Sequence, residues 1–207
     1  MTVAEYTAAF VSIMIGLALA DLATSLQRLL RAGPRVKWDI LTPAAALLSA
    51  AFVINVWWTM FAVLSQVERL SVASFIPDLV SLVLLFCLAS SALPDEVPQD
   101  GLDLRDYYER NRRWLWRLFA AYTCWVTLLA LIRGVSAGAT AGQIAGSTVP
   151  NLVLLAVMLT LSRTSRRGIH IAGIAALLLV TALAWLPQEV WSKGPGPVGP
   201  TAARLAN

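Results

Sequence analysis

Six runs of apolar residues, each close to the ~20 residues a helix needs to cross a bilayer core, take up nearly all of this chain. They cover about residues 6–29, 40–64, 75–93, 114–132, 141–161 and 169–186. Hydrophobic residues make up 58% of the 207 positions and charged ones 14%, against ~25% charged in a soluble domain. The chain lacks the polar groups to cover itself in water, and the runs leave no room for a separate soluble domain. None of the runs alternates with the period of a barrel strand. Lipid offers the backbone no hydrogen-bond partners, so each run must satisfy its own amides as a helix. The expected fold is all-α, a polytopic transmembrane bundle of about six helices. The N-terminus has no basic stretch or small-residue cleavage site, so the first run is expected to persist as a helix.

The fifth run is interrupted by Pro150. From there to Leu161 a helix rises only about 18 Å, too short to span. Either the helix starts earlier and bends at the proline, or residues 138–149 enter as irregular backbone.

Lysine and arginine set the orientation. One set of connections holds Arg28, Arg31, Arg35, Lys37, Arg105, Arg110, Arg112, Arg113, Arg117, Arg163, Arg166 and Arg167, twelve of the 16 basic residues. The other set holds Arg69, Arg133, Lys193 and Arg204. The positive-inside rule puts the first set in the cytoplasm and both termini outside, in a bacterial inner membrane. The net charge of +4 therefore reads as topology and attraction to anionic headgroups, not as a nucleic-acid site. The lipid bilayer is the one partner the composition demands.

The longest connection, residues 94–113, begins acidic and turn-rich. Asp103 has the place of a helix N-cap, and Arg105/Glu109, Asp106/Arg110 and Glu109/Arg113 fall at i,i+4 spacing. Leu104, Tyr107, Tyr108 and Leu115 share a face. This predicts a short amphipathic helix over 103–113 lying on the cytoplasmic surface and running into the fourth helix. Asp103, Arg105, Tyr107, Tyr108, Arg112 and Arg113 would there meet a cytoplasmic partner or anionic lipid. Residues 192–207, rich in Gly and Pro, read as a flexible tail.

Within the runs, polar residues mark candidate sites. Asp21 lies about 10 Å from the cytoplasmic end of the first helix, where an ionisable group marks either a polar path or a buried pair. Arg117 is the partner at matching depth. Asn55, Trp57, Trp58 and Thr59 outline either a polar seam or plain packing on the second helix. Ala8, Ser12, Gly16, Ala20 and Thr24 recur every four residues, as do Gly138, Gly142 and Gly146. Small residues in that register let helices approach closely, within the chain or in a homo-oligomer. Asp78 suits the start of the third helix as a cap, with Arg133 a candidate partner. His170 is expected on solvated surface. Cys87 and Cys124 are expected at similar depths on neighbouring helices, close enough for mild oxidation to link. No P-loop, GxSxG or HExxH occurs, and one histidine with two scattered cysteines is too few for a metal site. No catalytic residue, metal or cofactor is assigned.

Ser12-Ile13-Met14-Ile15-Gly16-Leu17-Ala18-Leu19, Trp57-Trp58, Leu93-Pro94-Asp95, and Asp103-Leu104-Arg105-Asp106-Tyr107-Tyr108 with Asn111-Arg112-Arg113-Trp114 resemble a widespread family of uncharacterised bacterial six-helix membrane proteins. The resemblance covers most of the chain and implies the fold without an activity. A weaker likeness is to small bacterial relatives of the lysosomal potassium channel, through the Trp-bearing second helix and the Leu-Pro end of the third. The Phe-Ser-Asp signature of those channels has only Phe10-Val11-Ser12 to match it here, and their termini are cytoplasmic. Two functions follow as expectations: an oligomeric ion channel or small transporter with its path along helix one, or a sensor or assembly module acting through residues 94–113. Under the first, Asp21→Asn should abolish flux.

Overall fold

The computed structural model describes residues 3–64 and 72–185. The expected tail, 192–207, lies outside them. The elements are α1 (Val3–Ala32), a 3-10 turn (Gly33–Arg35), β1 (Val36–Lys37), α2 (Leu41–Leu64), α3 (Val72–Ser90), β2 (Leu102–Asp103), α4 (Leu104–Ser136), α5 (Ala141–Arg163) and α6 (Arg167–Trp185). All six helices are long and apolar enough to cross a membrane, as the hydropathy pattern predicts. Ile13, Leu17, Leu47, Val83, Val153 and Leu183 remain exposed on their outer faces. Apolar surface on that scale suits a multi-pass membrane protein and not a soluble monomer.

Consecutive helices run antiparallel, so one end of the bundle collects the arginine-rich connections. We call it the basic end. α2 is central and packs on α1, α3, α4 and α6, while α4 and α5 form the most extensive pair. α1 turns Val11, Ile15, Ala18, Leu22, Ser25, Leu29 and Ala32 inward, alternating steps of four and three residues. That is the 3.5-residue seam of a left-handed helix crossing.

Two expectations are corrected here, and the choice left open over the fifth run is decided. Residues 103–113 are not a separate surface helix. They are the first turns of α4, a single helix of 33 residues, and at ~50 Å it is longer than a ~30 Å bilayer core. Asp103 does cap it, accepting from Arg105 N–H at 2.9 Å. Beyond the cap, Leu104, Tyr108 and Leu115 are buried in the bundle, so the apolar face is spent on the protein itself. The i,i+4 pattern is formed only at Arg105–Glu109, 3.4 Å; Arg110 reaches the Asp106 carbonyl instead.

Of the two alternatives for the fifth run, the earlier start holds: α5 is continuous through Pro150. A capping box, with Thr140 and Gln143 each bonding the other's backbone, starts the helix early enough to give it 23 residues, and a proline well inside a helix can be accommodated in apolar surroundings.

The second correction is that Cys87 and Cys124 are on adjacent helices but not at matching depth. Asp78 meets Arg133, Ser81 meets Trp125, and Ser91 meets Asn111. This antiparallel register sets Cys87 opposite about residue 117, ~10 Å along the axis from Cys124. Both thiols are free.

The basic end is closed by a parallel β pair, Val36 with Leu102 and Lys37 with Asp103. Gly101 makes the approach with φ +99, and a Cβ there would lie 2.9 Å from the Arg35 carbonyl oxygen. Both the left-handed backbone and the backbone neighbour exclude a side chain. Gly101→Ala should therefore lower stability by about 1–3 kcal/mol, read as a reduced thermal midpoint of the detergent-solubilised protein. An unchanged midpoint would show that the β pair is dispensable.

Candidate functional site

Polar side chains inside the bundle gather in two places. The first lies toward the end opposite the basic one, in a cleft of about 410 Å³ between α2, α3, α4 and α5. Asn55 and Thr59 line it from α2, Asp78 and Ser81 from α3, Tyr122 and Arg133 from α4, and Asn151 from α5. Val56, Met60, Val126 and Leu129 supply apolar wall. The volume falls in the range of small-molecule sites, and a mostly apolar lining with a few convergent polar groups is their usual chemistry.

The ion pair at this cleft is Arg133 with Asp78, 2.8 Å, with the aspartate side chain 18% exposed and the arginine 52%. Asp78 thus has the expected partner in Arg133 but is not the expected cap. α3 begins six residues earlier, at Val72, which moves the carboxylate past the first turn where capping is effective. Beside it, Trp125 donates its indole N–H to the Pro77 carbonyl and the Ser81 hydroxyl. Toward the middle of the bundle, Phe52 meets Phe119 and Tyr122 edge-on at 5.5 and 5.3 Å. Phe52 and Leu154 separate the cleft from a smaller apolar cavity of about 40 Å³. The cleft and that cavity are separate spaces.

The expected seam on α2 divides. Asn55 and Thr59 enter the cleft, with the Thr59 hydroxyl also bonding the Asn55 carbonyl at 2.9 Å. Trp57 turns to α1, donating to Ser12 Oγ at 3.1 Å and stacking on Phe61. Trp58 is half-buried beside it.

Asp21 and Arg117 are not brought together. Asp21 is half-buried on α1, forms no ion pair among the described residues, and lines none of the cavities described here. Arg117 is exposed on α4, which faces α3 and α5 and not α1. The small-residue stripe also lies elsewhere than a tight intramolecular contact requires. Ser12, Gly16 and Ala20 are exposed and Ala8 half-buried. A Cβ added at Gly16, Gly138, Gly142 or Gly146 would meet nothing within 4 Å.

The second gathering is at the basic end, and its key residue was expected on the surface. His170 is buried, 1% exposed. Tyr108 Oη and His170 Nδ1 are 2.8 Å apart, Trp116 Nε1 donates to Tyr108 Oη at 3.1 Å, and His170 Nε2 lies 3.1 Å from the Thr164 carbonyl. The carbonyl needs a proton from Nε2, so Nδ1 accepts from the tyrosine, and each group in the chain has its partner. Arg112, expected on the interaction surface, is also buried and donates to Thr164 O. A cation there satisfies the final carbonyls of α5. Sequence spacing gave no sign of this network, because Thr164 and His170 face Tyr108 from 56 and 62 residues away.

Alongside, Arg167 holds Asp39 at 2.5 Å. Partial burial alone would raise the Asp39 carboxyl. The hydrogen bonds from Arg167 and Leu41 N–H, with the charges of Arg167 and Arg105, outweigh it and hold the group below its ordinary 3.8. On the α3–α4 side, Asn111 and Tyr107 both donate to the Ser91 carbonyl, and Arg28 donates to the Asp95 carbonyl. Among the described residues, no group of three His, Cys, Asp or Glu side chains could hold a metal ion.

Comparison with protein-family models, curated proteins and solved structures finds no match to this chain. Its function must be argued from its own residues.

Two measurements follow. Tyr108→Phe removes the acceptor of Trp116 and the donor of His170 at a buried site, and should cost about 1–3 kcal/mol; Tyr107→Phe, at a half-exposed site, should cost less. The comparison of unfolding midpoints decides it. Because the folded Asp39 carboxyl lies below its unfolded value, its stabilising effect is complete above about pH 4 and lost as pH falls through the folded value. Asp39→Asn should flatten that acid limb of the stability profile, and an identical limb in both proteins would exclude the Arg167 pair as its source.

Proposed function

We propose that this chain is a multi-pass protein of the bacterial inner membrane that moves a small solute through the α2–α5 cleft. The basic end faces the cytoplasm and both termini lie outside. The observation that carries this reading is the cleft itself: a space of about 410 Å³ away from the basic end, with a carboxylate, a guanidinium and two carboxamides converging on it. A cleft separate from the cavity beyond Phe52 is not a continuous ion pore, so a transporter that changes conformation suits it better than a channel. The path runs between α2 and α5, not along α1.

The lining suits a zwitterionic solute with some apolar surface. Asp78 attracts an ammonium group and Arg133 a carboxylate, exchanging their mutual bond for bonds to the solute. Asn55 and Asn151 supply orienting donors and acceptors, and Val56, Met60 and Leu129 take the apolar part. Release on the other side requires the Phe52–Phe119–Tyr122 layer to part. The outward stripe Ser12, Gly16, Ala20 on α1 gives a second copy a close-packing face, which is where we place a homo-oligomer contact.

A second reading, a non-transporting sensor, draws on the hydrogen-bonded cap at the basic end. It would relay occupancy of the cleft to a cytoplasmic partner. Binding without flux would favour it.

The test is uptake of a panel of zwitterionic amino acids and small amines into proteoliposomes. Asp78→Asn and Arg133→Gln should each reduce uptake of the accepted solute at least tenfold, while Asp21→Asn should leave it unchanged. Equal uptake by the cleft variants, or none by the unmodified protein across the panel, would overturn the transport reading.

A further inference from the structure

Where α4 and α5 meet near the basic end, three guanidiniums collect without counter-ions. Arg113 and Arg117 are one turn apart on α4, Arg163 is the last residue of α5, and with Leu159 and Ser162 they line a groove of about 280 Å³. All three arginines are exposed, and none forms an ion pair or side-chain hydrogen bond among the described residues. The nearby charges are already engaged. Glu109, one turn before Arg113, is held by Arg105; Arg112 is turned inward to the Thr164 carbonyl; and Asp39 belongs to Arg167. The pairing of α4 with α5 is fixed on either side of the groove, by Arg112 at Thr164 and by Thr123 Oγ1 on Met158 Sδ at 3.3 Å. Arg117 is therefore held level with Ser162 and Arg163.

Three like charges held together repel one another unless something anionic bridges them. Guanidinium forks match phosphate oxygens two at a time, so a phosphate held between three of them satisfies geometry and charge together. The setting adds a second constraint. The arginines sit where the apolar runs of α4 and α5 begin and end, and Leu159 in the same groove continues the apolar face. Basic pockets between membrane helices on the cytoplasmic side are suited to phosphate headgroups.

We infer that the Arg113–Arg117–Arg163 groove is a binding site for a phosphate monoester, whose charge it recognises and whose apolar attachment Leu159 contacts. It lies apart from the α2–α5 cleft and does not depend on transport. The source of the phosphate is a lipid headgroup or a soluble phosphate, and competition separates the two.

The experiment uses the full chain in phosphatidylcholine nanodiscs with and without phosphatidic acid, and native mass spectrometry to read lipid retained on release. The unmodified chain should retain phosphatidic acid over phosphatidylcholine. Each of Arg113→Gln, Arg117→Gln and Arg163→Gln should weaken retention about fivefold, and the three together by about a hundredfold. Arg31→Gln with Arg35→Gln, basic residues of another connection, should leave retention unchanged. Millimolar inorganic phosphate that displaces the lipid assigns the site to soluble phosphate, and persistence of the lipid assigns it to the headgroup. Because none of the three side chains has a partner to lose, the single variants should keep their elution volume and helical circular dichroism. Retention that is unaffected by the triple substitution, or that falls as much in the Arg31/Arg35 variant, would overturn the site.

Discussion

The outer surface of this bundle is apolar, and that fixes where its polar groups can lie. With few polar neighbours around the helices, a hydroxyl or indole must find its partner inside the protein. Most hydroxyls do so on their own helix: Thr24 bonds the Ala20 carbonyl, Ser49 that of Ala45, Thr127 that of Thr123, Thr160 that of Ala156 and Thr181 that of Leu177. Groups too large to fold back bond across helices. Trp57 reaches Ser12, and Trp125 reaches Pro77 and Ser81. These bonds fix the register of neighbours that van der Waals packing alone would leave free to slide.

The charged groups are divided by the same constraint. At the basic end they are bonded into a cap in which Arg112, His170, Tyr108 and Trp116 are buried and mutually satisfied. Such a network rigidifies because every member that moved would leave another unpaired. At the opposite end Asp78 and Arg133 stand on the wall of the cleft, where, on the transport proposal, a solute would replace either partner. On that proposal one end holds its shape and the other exchanges contacts. The two readings of function divide along that line.

Much of the fold was legible in hydropathy, because apolar length and charge asymmetry are local quantities. The six helices match the six runs, and the Asp103 cap matches its sequence signature. The errors share a cause. The 103–113 segment has the pattern of a surface helix, but that pattern does not say whether the apolar face meets lipid headgroups or Leu41 and His170. The four-residue stripe on α1 correctly marks a face of small side chains, while the seam of Val11, Ile15 and Ala18, one step around the helix, is the face that packs. Asp21 stands out in the sequence because an aspartate inside an apolar run is conspicuous. Asp78 and Arg133 can be paired from sequence, but the cleft they share with Asn55 and Asn151 cannot be read there, because its lining comes from four helices.

By itself the sequence determined the apolar length of the helices, their number and the end that gathers positive charge, since each follows from composition within ~20 consecutive residues. Only the tertiary structure decided which faces are buried, that His170 belongs to the interior, and that Asp78, Arg133, Asn55 and Asn151 meet around one space. Those are properties of register between helices. Register depends on side chains meeting across large sequence separations, which no local pattern records.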